Sequence, residues 1–315
     1  MNNPYQNSEN NLRYFSYQYY LKKKYGIRVY KVPLDAGFTC PNRDGTYGIG
    51  GCSFCTSTGS GEFAGNRHTD LLTQFYNKKE SLSSKWPNGK SIAYFQAFSN
   101  TYGSVHEVQA MIEPFLKLDE VLEISIATRP DCLSDEMISL LNELSHKKEI
   151  WLELGLQTIH DKTAVAFNRS YTTSVFADTI QRLSTTNIKI CVHIINGLVN
   201  ETPAMMLETA MYLANLPIHA IKIHMLHLMH NSSLGQSYLN QAWSLLREEE
   251  YVQIVADQLE ILPPDLIIER LTGDGAKDLL IAPLWTIKKI KTLNEIQKEL
   301  VKRNTYQGIH YKQEN

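Results

Sequence analysis

Short runs rich in β-branched and aromatic residues alternate with longer amphipathic runs along the chain. The short runs predict strands over Arg28–Asp35, Ser91–Phe98, Val121–Thr128, Ile150–Gln157, Ile188–Ile195 and Ala220–Leu228, with a weaker seventh at Leu266–Leu271. Apolar residues at helical spacing predict helices near His68–Ser84, Val105–Leu118, Ser134–Lys147, Thr172–Thr186, Pro203–Asn215 and Arg247–Leu262. Ser134, followed by two acids, has the character of an N-cap, and Pro203 suits a first helical position. Six strand–helix units in series imply parallel strands with right-handed crossovers. They could close as a full or partial barrel, or lie open as a doubly wound sheet. No Gly-rich phosphate loop follows the first strand, which weakens the open nucleotide-binding sheet.

The strands carry polar residues at a period of two. Tyr94, Gln96, Phe98 and Asn100 fall on one face of the second, and Ser125, Ala127 and Arg129 on one face of the third. Trp151, Glu153, Gly155 and Gln157 follow on the fourth, Cys191 and His193 on the fifth, Lys222 and His224 on the sixth. Strands buried on both faces would be near-continuous apolar runs. Five strands with one polar face describe a barrel whose interior holds water or a ligand.

The chain has 315 residues with 43% hydrophobic and 20% charged, an ordinary globular mix. Net charge is −2, but its distribution is uneven. Residues 1–31 carry six Lys/Arg against Glu9 alone, and residues 285–315 carry seven against three acids, so the middle sums to −11. Basic ends on an acidic body suggest either a polyanionic partner or merely solvated helical lysines. No run of roughly 18 apolar residues would span a membrane. The N-terminus lacks a signal peptide's apolar core, so a cytoplasmic protein is expected.

Five cysteines, an odd number, argue against a disulfide framework. Three of them lie within sixteen residues: Cys40, then Cys52 and Cys55 after intervening runs of eleven and two residues. Thiolates ligate zinc or iron–sulfur clusters. A structural zinc needs four protein ligands and only three cysteines are local. Three suit a 4Fe–4S cluster with one open iron. The motif directly follows the first strand, which places it at the C-terminal mouth of a barrel. Cys132 and Cys191 are expected to be small buried hydrophobes.

These motifs resemble the radical S-adenosylmethionine (radical SAM) enzymes. The widened cysteine spacing, with Phe54 between the last two cysteines, is similar to that of the Elongator catalytic subunit and the bacterial YhcC/YtqA-type proteins. The likeness runs through CPNRDG (Cys40–Gly45), GGCSFC (Gly50–Cys55), YFQAFSNTY (Tyr94–Tyr102), ATRPDCL (Ala127–Leu133), ELGLQT (Glu153–Thr158), HIINGL (His193–Leu198), KIHMLH (Lys222–His227) and ERLTGD (Glu269–Asp274). It implies an α/β partial (β/α)6 TIM-like barrel over residues 28–280, with a basic, Tyr-rich extension (1–27) and a basic helical extension (281–315). It also implies a 4Fe–4S cluster on Cys40, Cys52 and Cys55, with S-adenosylmethionine on the open iron. Phe54 would pack near the adenine, and Arg129 would grip the methionine carboxylate unless it pairs with Asp131. Gln96, Ser99 and Asn100 would hold the amino group. Glu153 and Gln157 point inward and could hold ribose or substrate, or serve as buried polar scaffolding. His193, Lys222 and His224 are weaker candidates for catalysis or cofactor contact. His227 is expected on the strand face opposite His224, and Glu269, Arg270 and Asp274 at a seventh element closing the mouth. Nothing in these residues resembles an acetyl-CoA site, so the acetyl transfer of Elongator-type proteins is not expected.

For substrate, the resemblance implies a tRNA wobble uridine, with 5-carboxymethylaminomethyl-uridine converted to the 5-aminomethyl form. A downstream methyltransferase would use the product, and flavodoxin or ferredoxin would donate electrons. A small metabolite is the nearer alternative, and a zinc-stabilised tRNA-binding protein without chemistry the more distant one. The run Tyr14–Lys24 interleaves aromatics with lysines, which suits either base stacking with phosphate contacts or a helix docked by its tyrosines. With a C-terminal helix near Thr286–Asn304 it could cradle an anticodon stem.

Overall fold

The strands assemble in chain order. The computed structural model describes residues 3–8, 11–59 and 61–312. Strands β1 (Val29–Leu34), β2 (Lys90–Phe95), β3 (Val121–Thr128), β4 (Glu149–Gln157), β5 (Lys189–Asn196) and β6 (Ala220–Met225) lie parallel, side by side. After a two-residue strand β7 (Leu228–Met229), β8 (Ile267–Arg270) adds parallel to β6 and makes the seventh strand of a curled half-barrel. β7 pairs antiparallel with β9 (Leu280–Ala282) in a separate two-stranded sheet.

Ten helices complete the chain: α1 (Tyr17–Tyr25), α2 (Leu71–Ser83), α3 (Val105–Leu116), α4 (Asp135–Ser145), α5 (Asp161–Ala166), α6 (Thr173–Leu183), α7 (Pro203–Ala214), α8 (Ser233–Asn240), α9 (Glu248–Ile261) and α10 (Lys289–Lys302), among the described residues. Ser134 caps α4 by accepting from the Met137 N–H, and Pro203 opens α7 with Thr202 as its cap. α2 starts later than the periodicity predicts because Asp70 caps it, accepting from the Thr73 N–H. None of the helices is long and apolar enough to cross a membrane, among the described residues.

The alternation along each strand divides the molecule. Ile124, Ile126, Leu152, Leu154, Ile190, Val192, Ile221 and Ile223 face the helical layer and are fully buried in the main core. The alternate residues, odd-numbered in β3 to β5 and even-numbered in β6, face the concave side. Two predicted strands end early. β2 stops at Phe95, since Ala97 and Phe98 adopt left-handed backbone (φ 76° and 60°). β6 stops at Met225, so strand alternation does not govern His227.

The N-terminal run is the docked helix. Tyr17 and Tyr20 of α1 pack edge-on against Trp151, their ring centroids 6.5 and 6.1 Å away. Lys24 pairs with Glu123 at 2.9 Å and Glu149 at 2.6 Å, and Tyr25 donates to Glu123 at 2.7 Å. These partners sit at the N-terminal ends of β3 and β4, so α1 floors the barrel at the end away from the cysteines. Arg13, 2% exposed, donates to the Thr305 carbonyl just beyond α10. Gln307 accepts from the Phe15 N–H. The two basic ends therefore meet at the floor. Of the two readings of the run Tyr14–Lys24, the structure shows the helix docked by its tyrosines, which cover apolar surface at the floor, away from the cysteines.

Candidate active site

The cysteines lie in the long connection from β1 to α2. Gly50 and Gly51 have φ of 85° and 86°, a conformation L side chains rarely adopt, and a Cβ on Gly51 would sit 2.8 Å from Arg43 Nε. Bonds to the segment after α5 pin this turn. The Asn42 side-chain amide donates to the Asn168 carbonyl at 2.5 Å, Asn168 donates to the Gly51 carbonyl at 2.9 Å, and the Ser53 N–H donates to the Phe167 carbonyl. Phe54 packs against Phe167 with centroids 5.3 Å apart. α8 seats the loop from the other side through the Leu234 N–H on the Ser53 carbonyl.

Cys40, Cys52 and Cys55 carry free thiols, half-buried around one cavity of about 480 Å³. A hydrogen bond from Cys55 brings the Cys52 thiol down to about 7 against its burial, helped by the Arg129 guanidinium and the Asn42 amide. The same bond and burial push Cys55 well up. Arg43 and Arg129 line the cavity beside the sulfurs, compensation that a set of thiolates needs in a low dielectric. Among the described residues no three Cys, His, Asp or Glu side chains are grouped to hold a single metal ion. A zinc centre gathers its ligands around one point, about 2.0–2.3 Å from it, whereas each thiolate of a cubane cluster takes a different iron. The donor set therefore fits a cluster ligated by three thiolates, with cationic surroundings, better than it fits a lone ion.

The inner end of the cavity is a buried ionic cluster. Glu153, 1% exposed, pairs with Lys31 and Lys222, accepts from Ser125 Oγ at 2.5 Å and lies 3.0 Å from His193 Nε2. Glu269 pairs with Lys31 at 2.5 Å and Lys222 at 3.0 Å. Because Lys31 is on β1 and Glu269 on β8, their pair bridges the two edge strands of the half-barrel. Tyr94 lies beneath both ammoniums, 4.7 and 5.0 Å from its ring centroid. Burial opposes ionisation of Glu153, but Lys222 and Lys31 hold its carboxyl well below the usual range. Burial and Lys222 hold His193 down, so its imidazole is neutral at pH 7. His224 Nε2 is buried with no partner, and its ring centroid lies 5.6 Å from that of His193.

Phe54, Gln96, Ser99, Arg129, Glu153, Gln157, His193, Lys222 and His224 all line this cavity together with the three cysteines. The Ser99 hydroxyl has no partner, and Gln157 has left-handed backbone (φ 64°). Asn100 departs from the expectation. Its amide N–H groups go to the Phe95, Ala97 and Ala127 carbonyls, so it braces the turn after β2 and is not among the cavity-lining residues. Arg129 lines the cavity yet is held bidentately by Asp131 at 2.9 and 2.7 Å, with Ser170 Oγ at 2.9 Å. Carboxylate recognition by Arg129 would have to share the guanidinium with Asp131. His227 also lines the cavity, contrary to the expected opposite face, because it follows the end of β6.

Lys31 was not singled out from the sequence. Applying the same period of two to β1, with Val29, Lys31 and Pro33 on one face, would have found it. Arg169, Tyr171 and Arg43 gave no such signal. Arg169 is fully buried, satisfied by the Leu156, Thr158 and Tyr171 carbonyls and by Asp161, and its place follows from loop packing alone.

Comparison with known proteins agrees with this geometry. Residues 40–213 match the model of the radical SAM superfamily, and residues 218–302 that of the radical SAM C-terminal domain. The chain is 47% identical over 307 residues to YtqA of Bacillus subtilis, covering 98% of this chain and 95% of YtqA. It is 31% identical over 281 residues to YhcC of Escherichia coli K12, covering 89% of this chain and 90% of YhcC. Among solved structures, N-terminally deleted Elp3 of Methanocaldococcus infernus superimposes with a TM-score of 0.67 at 14% identity. That match covers 89% of this chain and 65% of the Elp3 chain, less than two thirds of its length, and shows a shared fold. With three thiols at the mouth of a half-barrel and a family match over more than half its length, the chain belongs to the radical SAM superfamily, enzymes that work with a 4Fe–4S cluster and S-adenosylmethionine.

Proposed function

We propose that this enzyme acts on the wobble uridine of tRNA and converts the 5-carboxymethylaminomethyl side chain to the 5-aminomethyl one by oxidative cleavage of the N–CH2 bond. The two carbons leave as glyoxylate, whose aldehyde oxygen comes from water, while S-adenosylmethionine takes the two electrons and leaves as methionine and 5′-deoxyadenosine. The observation that carries this proposal is the inner cavity wall, where buried Lys222, half-buried Lys31 and two neutral imidazoles lie below the cysteines. Likeness to YtqA over almost the whole chain, and to the fold of Elp3, adds support.

When bound, the cluster and S-adenosylmethionine supply a 5′-deoxyadenosyl radical able to take a hydrogen from an unactivated CH2. In this proposal Cys40, Cys52 and Cys55 hold the cluster. Phe54, Gln96 and Ser99 contact S-adenosylmethionine, and Arg129 shares its guanidinium between Asp131 and the methionine carboxylate. Lys31 and Lys222 form the inner wall toward the substrate's carboxymethyl group. Since each already pairs with both Glu153 and Glu269, a substrate carboxylate must enter by displacing one of these contacts. That exchange disfavours anions that lack the rest of the nucleoside's contacts. His193 and His224, both uncharged, are positioned to accept or pass a proton from the secondary amine. An external electron donor, flavodoxin or ferredoxin, and a methyltransferase using the product complete the proposal.

The test is mass spectrometry of wobble nucleosides from cells lacking the protein and from complemented cells. Accumulation of the carboxymethylaminomethyl form, with loss of the aminomethyl and methylaminomethyl forms, supports the proposal. Complementation with a Cys55→Ala variant should then fail. An unchanged nucleoside profile removes tRNA as the substrate and leaves a small metabolite.

A further inference from the structure

The floor of the barrel carries a second cavity, of about 600 Å³, which shares no lining residue with the mouth. Its volume falls in the range of roughly 300–1,000 Å³ usual for small-ligand sites. Phe15, Tyr20, Trp151, Leu216 and Tyr311 give it apolar and aromatic walls. Lys23, Lys24 and Lys189 bring positive charge, with Asp265 the one acid among the described lining residues. Lys24 is committed to Glu123 and Glu149.

One contact in this cavity is chemically incomplete. His219 Nδ1 accepts from the backbone N–H of Ile190 at 3.1 Å. A backbone N–H can only donate, so Nδ1 is the bare nitrogen and the ring proton sits on Nε2. Burial and the neighbouring Lys189 hold the imidazole at about 4, which keeps it in this neutral form at pH 7. Lys189 Nζ lies 3.4 Å from that same Nε2. An ammonium has three donors and no acceptor. Two donors therefore face each other across a gap that an acceptor would complete. Elsewhere on the floor Lys24 of α1 finds two carboxylates; among the described residues none lies within ion-pair distance of Lys189.

We infer that this floor cavity binds a small oxyanion carried on an apolar ring, with the oxyanion received by Lys189 and His219 Nε2–H and the ring by the aromatic walls. A single oxyanion accepts from both donors at once and converts a repulsive contact into two charge-assisted bonds. The site is independent of the substrate proposed for the mouth.

The probe is phenyl phosphate, the smallest molecule with both features, titrated calorimetrically into cluster-loaded enzyme under anaerobic conditions. Binding is expected at one site per chain, at least tenfold tighter than inorganic phosphate or phenol, and unaffected by saturating S-adenosylmethionine. Lys189→Gln places a carbonyl acceptor opposite His219. It is expected to raise the melting temperature of the ligand-free protein while weakening phenyl phosphate at least tenfold. Absence of saturable binding overturns the inference. So does binding that Lys189→Gln leaves unchanged, competition by S-adenosylmethionine, or a Lys189→Gln protein that melts below wild type.

Discussion

Replacing Glu153 with Gln keeps its shape and removes the charge on which the inner cluster turns. In the wild type two ammoniums, Lys31 and Lys222, are balanced by two carboxylates, Glu153 and Glu269. The variant leaves both ammoniums to share Glu269. Removing one partner of a buried ion pair typically costs about 3–5 kcal/mol. Here Glu269 remains 2.5 Å from Lys31 and 3.0 Å from Lys222, which favours the lower end, about 3 kcal/mol. Adding Lys222→Met restores the balance of one cation to one anion. The double variant should recover at least about 1 kcal/mol of that loss, because a buried pair replaced by apolar groups is often neutral. Urea unfolding of wild type, single and double variants, in one state of cluster loading, measures this. The pH dependence has a definite sign. Glu153 is depressed in the folded state, so its contribution is complete above the unfolded glutamate value of about 4.3 and fades as pH falls toward the folded value. The gap between wild type and Glu153→Gln should therefore narrow below about pH 4. A double variant no more stable than the single, or a gap that widens in acid, would refute the charge-balance reasoning.

Changing any of Cys40, Cys52 or Cys55 to Ala should lower iron and sulfide from about four each per chain to near zero; one zinc per wild-type chain would contradict the cluster. Arg129→Ala should leave iron content unchanged but weaken S-adenosylmethionine binding by roughly 10- to 100-fold, the worth of a charge-assisted contact, as measured by calorimetry; unchanged affinity removes Arg129 from the site. Lys24→Met strips Glu123, buried beneath α1 with Oε2 already unpartnered, of its cation and should destabilise by about 3 kcal/mol in urea. Burial holds Glu123 above the usual carboxylate range even with Lys24 present. A folded acid with a raised value gains stability as pH falls through it, so the Lys24→Met deficit should shrink between pH 7 and pH 5; a deficit that grows would refute this account.

Sheet order, the mouth position of the cysteines and most of the cavity lining are consequences of local pattern. Strand alternation is a backbone property with a period of two, so Glu153 on β4, His193 on β5, and Lys222 and His224 on β6 are committed to one face by their place in each strand's alternation. The Cys-rich loop follows β1, and parallel crossovers place every such loop at the same end. What local pattern could not decide depends on where the backbone stops obeying its period and on partners distant in sequence. Asn100 leaves the cavity and His227 enters it because β2 and β6 end at Phe95 and Met225. Arg129 finds Asp131 two residues away, which the sequence allowed but could not choose over a ligand. Lys31 meets Glu269 across 238 residues, since only the curl of the sheet brings its edge strands together. The Tyr- and Lys-rich N-terminal helix could equally have faced RNA. Its place on the floor follows from apolar surface at the strand starts that nothing else covers, a free-energy balance that exists only once the barrel has formed.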